Sequence, residues 1–230
     1  MEPPARAQSV PGCSAAGPAD VHAVNLDWRQ RIRESARVEW AAGRPRPVRA
    51  VSPDPRDRVP VLVRLRTEAD EEECLRLAEA VRLADGYPVH VAGSLRDFLV
   101  SQDAIRAWVA VRGEEIVGHV ALHRRSSDAV VEFASGQLDL PANRLGIVAR
   151  LLVAPDSRRQ GLGRLLLSTA EQEALARGLR PVLDVAITHR MAIQLYEACG
   201  WVRAGAVTSR LRDGTELEEI VYFGPHTEPA

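Results

Sequence analysis

The stretch Leu152-Val153-Ala154-Pro155-Asp156-Ser157-Arg158-Arg159-Gln160-Gly161-Leu162-Gly163-Arg164-Leu165-Leu166 carries the clearest chemistry in the sequence. An apolar run ends, Pro155 punctuates it, a short loop follows, and two glycines open an amphipathic segment. The first N–H groups of a helix have no intrahelical acceptor, and the helix dipole favours an anion beside them. Gly161 and Gly163 would let the backbone approach that anion without Cβ contacts. Arg158, Arg159 and Arg164 add positive charge. The combination predicts a phosphate or pyrophosphate site. Two nucleotide-binding patterns compete for the loop. A P-loop needs G-x-x-x-x-G-K-[ST], but all 30 basic residues of this chain are Arg. That pattern is excluded, and with it Schiff-base and lysine-base chemistry. A dinucleotide fingerprint needs a third glycine where Leu166 stands, although Asp184 lies at a suitable distance along the chain to meet a ribose.

Other residues invite a role by type and place. His119 and His123 fall on one face of an alternating segment. Tyr196 and Cys199 sit in a helical segment stopped by Gly200, and His189 precedes it. Cys199 reads as a buried apolar filler, Trp108 as core, and Tyr87-Pro88 as a turn whose ring lids the core. The three cysteines show no Cys-x-x-Cys and no His, Cys or Asp spacing for a metal, which argues against a disulfide framework and fits a reducing, cytoplasmic setting.

These residues need a scaffold, and the patterning supplies one. The chain has 230 residues, 46% hydrophobic and 27% charged, with a formal net charge of −1. That balance is ordinary for a globular protein and gives no reason to invoke nucleic acid or an anionic membrane. No apolar run approaches the roughly 18 residues of a spanning helix, and the N-terminus lacks a secretory pattern. Nine of the 15 prolines fall in the first 60 residues, so residues 1–58 read as a disordered or weakly helical extension, with 21–42 as a short helix carrying Trp28, Ile32 and Trp40. A domain follows over 59–225, then a tail over 226–230. Strands are expected over 61–66, 105–111, 115–123, 147–153, 182–187, 202–212 and 216–223, and helices over about 67–85, 95–100, 160–177 and 191–199. Residues 124–144 read as a polar loop or short helix. The order is β-α-α-β-β-β-α-β-α-β-β: an α/β fold with a mixed sheet.

Two motifs in this order resemble a known superfamily. Arg158-Arg159-Gln160-Gly161-Leu162-Gly163 is similar to the [QR]-x-x-G-x-[GA] acetyl-CoA motif of the GCN5-related N-acetyltransferases (GNAT). His189-x-x-Ala192-x-x-Leu195-Tyr196-Glu197-x-x-Gly200-Trp201 resembles that superfamily's N-x-x-A-x-x-L-Y-x-x-x-G-F, with His189 for Asn and Trp201 for Phe. The resemblance covers 59–223. It implies a mixed, mostly antiparallel sheet splayed at its central βαβ unit, with helices on both faces, and acetyl-CoA as co-substrate with no metal. The pyrophosphate would rest on amides of Arg158, Arg159, Gln160, Gly161, Leu162, Gly163 and Arg164. The pantetheine arm would pair with Leu151, Leu152 and Val153, where a main-chain N–H stabilises the developing oxyanion. Tyr196 would be the general acid, protonating the departing thiolate. His189 would contact the coenzyme arm or cap its own helix.

The general base is open. Many relatives place a Glu three residues before the Arg of R-L-x-V, where this chain has Ile147. His119, His123, Asp184 and Glu132 are the alternatives, His119 and Asp184 foremost, with a water chain besides. The function expected is acetyl transfer to a primary amine of a small molecule or peptide, by a monomer or homodimer without nucleic-acid or membrane partners. The alternative is a non-catalytic acyl-CoA-binding sensor, and a dinucleotide-binding domain is a third reading.

Overall fold

The structure is a computed structural model that describes residues 59–88, 94–211 and 214–225. The extension, its helix over 21–42 and the tail expected from the sequence lie outside the described residues.

Strand β1 (Val61–Leu65) leads through a single 3-10 turn (Glu68–Asp70) into α1 (Glu71–Asp85). Glu71, Glu72 and Glu73 fill the first turn of α1, where negative charge meets the positive end of the dipole. Gly86 ends it in the left-handed conformation (φ 71°). Short helix α2 (Leu95–Leu99) is capped by Ser94, whose hydroxyl accepts from Asp97 N–H. The strands β2 (Ala104–Arg112) and β3 (Glu115–His123) form a hairpin. Helix α3 (Asp128–Leu138) follows, then β4 (Leu145–Val153), α4 (Leu162–Ala176), β5 (Arg180–Ala186), α5 (Arg190–Ala198) and the hairpin β6 (Val202–Arg210) and β7 (Glu216–Phe223).

Where the sequence suggested a polar loop or short helix over 124–144, the chain builds the eleven-residue α3. Ser127 caps it, and Val130, Ala134 and Leu138 recur every four residues to give it a buried stripe. Its polar residues occupy the other face, which is why the segment reads as irregular.

The seven strands form one sheet in the order β1-β2-β3-β4-β5-β7-β6. All neighbours are antiparallel except β4 and β5. Strand alternation sorts the core by face. Val120, Leu122, Val148, Leu183 and Tyr222 meet α4 through Leu166, Ala170 and Ala174. On the other face, Val109 and Leu152 pack with α1 and α2, and Ile147, Val182 and Phe223 with α3. Helices therefore cover both faces, and α1–α2 and α3 cover separate halves of the second one. Trp108 is buried, as its alternation implies.

One ion pair fastens the first strand to the first helix. Arg64 of β1 donates twice to the Asp70 carboxylate, both at 2.7 Å. Thr67 N–H and hydroxyl donate to the same side chain at 2.7 and 2.9 Å. Asp70 is only 7% exposed, and these donors, Arg64 first, hold its carboxyl well below the usual range. Asp70→Asn should destabilise the fold by about 2 kcal/mol, since it removes a charge-assisted network from a buried position. A depressed folded pKa makes the contribution fully present above the unfolded value of about 4 and lost as pH falls below it. Urea titrations at pH 7 and pH 3 check both points: the deficit of the variant should shrink at the lower pH.

Candidate active site

The centre of the sheet is interrupted in two ways. First, β4 and β5 pair only over Leu145, Gly146 and Ile147 against Arg180, Pro181 and Val182. Beyond that point β4 runs on to Val153 beside β3 alone, while β5 runs on beside β7. An opening is left, with unpaired backbone edges on both walls. Second, β4 carries a bulge just where the opening begins. His119 faces Leu152 and Ala121 faces Ala149, so β4 has one residue more than β3 over this interval. Arg150 takes up the excess at φ 56°, a left-handed conformation uncommon for a residue with a side chain. Its carbonyl is held by His119 Nδ1 at 2.9 Å. A bond to a carbonyl requires Nδ1 to carry the proton, which leaves Nε2 as the lone-pair nitrogen. Leu151, Leu152 and Val153 are thereby offered, strand-like, to the opening.

At the end of β4 the chain makes a 3-10 turn over Pro155–Ser157, passes Arg159 at φ 61°, and enters α4 through Gly161 at φ 83°. Gly161 has no side chain to cap the helix, so the N–H groups of Leu162, Gly163 and Arg164 keep their free valence. Three details differ from the sequence reading. The helix starts at Leu162, two residues after Gln160. Gly163 serves packing, not anion approach: a Cβ there would lie 2.9 Å from Leu195 Cδ2 of α5. Arg158 is not free to face an anion alone. Its guanidinium grips Asp85 at the end of α1 (2.9 and 2.6 Å), and its Nε donates to Val153 O at 3.2 Å. Gln160 accepts from Arg112, Arg164 donates to Ala198 O at 3.0 Å, and Arg159 is exposed. The loop is thus a preformed nest of amides braced by its own arginines.

Tyr196 of α5 is 8% exposed. It packs at 5.9 Å from the Tyr222 ring and 6.4 Å from Trp201. Burial pushes its phenol up, and Tyr87 and Asp184 add to the shift. The hydroxyl therefore stays protonated at any ordinary pH. His189 makes no side-chain cap to α5; its ring meets Tyr87 edge-on at 5.3 Å, and burial lowers its pKa. Of its two expected roles, capping is the one the geometry removes.

The face toward α1 and α2 collects the remaining polar groups. His119 and His123 are buried, and burial depresses both to about 4, so both are neutral. Across the opening, Asp184 accepts from Ser126 at 2.7 Å. Register places Asp184 against Val221 and Glu219 against Ala186, so the two carboxylates share a face one diagonal apart. Glu219 is 8% exposed and accepts from Ser209, itself 2.8 Å from Ser127. Burial first, then the charge of Asp184, pushes Glu219 up to about 7. Glu132 lies on the exposed side of α3, and Ile147 is 1% exposed in the core beneath that helix. Sequence reasoning missed Glu219, Arg150 and Asp85. Only the alternation in Glu216–Phe223 could have singled out Glu219, as an acid on the inward face.

No helix of the described residues is long and apolar enough to cross a membrane, and no group of three or more His, Cys, Asp or Glu among them is placed to hold a metal. A family model described as "Acetyltransferase (GNAT) family" matches residues 67–201. No curated protein matches at a significant level. Among solved structures, NAA60 from Arabidopsis thaliana in complex with a bisubstrate analogue superposes with a TM-score of 0.55 at 19% identity, over 73% of this chain and 100% of that one. The ribosomal-protein-S18-alanine N-acetyltransferase from Escherichia coli gives 0.52 at 18%, over 74% and 96%. A GNAT-family acetyltransferase from Streptococcus pneumoniae gives 0.51 at 19%, over 71% and 98%. At these identities the likeness is one of fold.

The two loop glycines should respond differently to alanine. Gly161→Ala forces a side chain into the left-handed region and should destabilise by about 1–2 kcal/mol. Gly163→Ala meets only the far end of Leu195, which can swing aside, and should lose less. Urea unfolding of the two variants tests the ranking; the reverse order would refute this division of labour.

Proposed function

The chain belongs to the GNAT acetyltransferase family, and from that premise we propose that it transfers the acetyl group of acetyl-CoA to a primary amine by direct attack on the thioester. The observation that carries this reading is the opening between β4 and β5 beside the bulge at Arg150. It leaves the backbone of Leu151, Leu152 and Val153 free to pair with an extended pantetheine chain and to present an N–H to the thioester carbonyl. The amides from Arg158 to Arg164 suit the pyrophosphate, with Gly161 setting the helix entry. The fit of this chain to acetyl-CoA rests on that pairing edge and that nest, continuous along one strand-loop-helix unit.

In the reaction the amine nitrogen forms the new C–N bond and the C–S bond breaks. The amine proton goes to a carboxylate, and the thiolate takes a proton from Tyr196. With Ile147 apolar and enclosed, the carboxylate is Glu219, raised by burial and by the charge of Asp184 one diagonal away. A base with a conjugate acid near neutrality is matched to this work. His119 is a poorer base, being neutral with a pKa near 4 and fixed by its bond to Arg150; its part is to hold the bulge. The competing reading, an acyl-CoA-binding module without turnover, draws on the apolar Ile147. Coenzyme A release with any amine would exclude it.

Two measurements test the assignment. Tyr196→Phe should lower kcat by about 10²-fold or more while acetyl-CoA affinity, read by thermal shift, stays within a few-fold. Unchanged turnover would take the acid role from Tyr196. For Glu219, kcat/KM should rise with pH through about 7, because the base acts deprotonated. Glu219→Gln should remove that step and leave the acceptor amine's own titration.

A further inference from the structure

Arg150 differs in its partners from Arg64, Arg112 and Arg158. Arg64 is paired with Asp70, Arg158 with Asp85, and Arg112 reaches Ser157 and Gln160. Arg150 forms no ion pair with any described residue; its side-chain hydrogen bond is to the neutral Tyr87 phenol, and its Nε is buried without a partner. Its guanidinium lies over the Phe98 ring, 3.9 Å from the centroid. Stacking occupies one face of the plane and Tyr87 one N–H, which leaves the rest of the terminal N–H groups for an anion. The neighbours are uncharged: Tyr87 and two neutral histidines. A half-buried cation held by a neutral phenol and a ring face, with no carboxylate, is poorly compensated unless an anion arrives to meet it.

The place narrows which anion. Arg150 precedes Leu151, so its side chain leaves the strand at the edge where the thioester would lie. Phe98, its stacking partner, belongs to the core under α1 and α2. The N-terminal amides of α4, which suit the coenzyme's phosphates, belong to the opposite face. The far wall of the opening holds Asp184 and Glu219, so the cleft is cationic on the β4 side and acidic on the β5–β7 side.

We propose that Arg150 binds a carboxylate of the acceptor, which makes the acceptor an amine with an acid group a few bonds from its nitrogen, as in an amino acid. The guanidinium edge receives the carboxylate in a two-point contact and the nitrogen points across the opening toward the carboxylate pair. A polyamine would place positive charge against Arg150 and is disfavoured. The inference rests on the acetyl-transfer reading and specifies its substrate class.

The test uses the full-length protein, acetyl-CoA and thiol detection. Acceptors are matched pairs of amino acids and their carboxamides, with aliphatic, aromatic, acidic and basic side chains, plus spermidine. A carboxamide has more free amine at neutral pH than the acid, so a preference for the acid runs against intrinsic reactivity. The expected result is a kcat/KM about tenfold or more higher for the acid of the preferred pair. In Arg150→Gln the acid-to-amide ratio should collapse toward one, and Arg150→Lys should restore part of it. A retained thermal shift with acetyl-CoA verifies that each variant is folded. Equal use of acid and amide, preference for amide or spermidine, or an acid preference that survives Arg150→Gln overturns the proposal. So does the absence of turnover with every acid while acetyl-CoA still raises the melting temperature. If acetyl-CoA gives the wild type no shift, the acetyl-transfer reading itself fails.

Discussion

The hydrogen bond from His119 Nδ1 to the Arg150 carbonyl is the constraint on which the centre of this fold turns. A left-handed Arg is unfavourable by roughly 1–3 kcal/mol and persists only when its surroundings over-determine it. Here three contacts do so: the histidine takes the carbonyl, Phe98 takes the guanidinium face, and β3 fixes the residues on either side. The result is a β4 that stays paired with β3 on both sides of the bulge but has shed β5. Burial of His119 matters to this. A charged imidazole would be expensive in that position, and the depressed pKa keeps the ring a neutral donor of fixed tautomer across the working pH range.

Two consequences follow for charge. Opening a sheet exposes backbone groups that water or a ligand must satisfy, and the walls add side chains of opposite sign. On one wall a guanidinium has no anionic partner among the described residues. On the other, two carboxylates share a face and are supported by serine hydroxyls from the start of α3 and from β6. Burial first, and the neighbouring charge of Asp184 second, raise Glu219 to about 7 and make it a proton acceptor near neutrality where an isolated Glu would be a spectator. The field across the opening is built by register, through the antiparallel pairing of β5 with β7.

What could be read from the sequence depended on how local the signal was. The loop from Arg158 to Gly163 and the run from His189 to Trp201 use special residue types at fixed short spacing, so they stood out. Element order was equally legible, because strand alternation and helix stops are local. The bulge was not: Arg150 sits in an apolar run that reads as plain strand, and its left-handed turn arises from a histidine 31 positions away. Glu219 was hidden in the same way. In Glu216–Phe223 it looks like one acid among several, and only pairing with β5 shows that it faces inward beside Asp184. Helix α3 stays undecided between a loop and a short helix in the sequence because its buried stripe is only three residues in a polar segment.

In the proposed reaction the coenzyme anchor and Tyr196 would have to keep their separation, since a misplacement of about 1 Å can lower a rate 10²-fold. The chain meets this by clamping α4 to α5. Gly163, at the start of α4, leaves room for Leu195, and Tyr196 is the next residue. Arg164 reaches the last turn of α5 through Ala198 O, and Leu162 and Tyr196 share one buried cluster with Trp201. The glycine that the sequence motif places in the loop is therefore a spacer between two helices. Its missing Cβ lets Leu195 pack against the start of α4, next to the loop that would grip the coenzyme and one residue before the phenol that would release it.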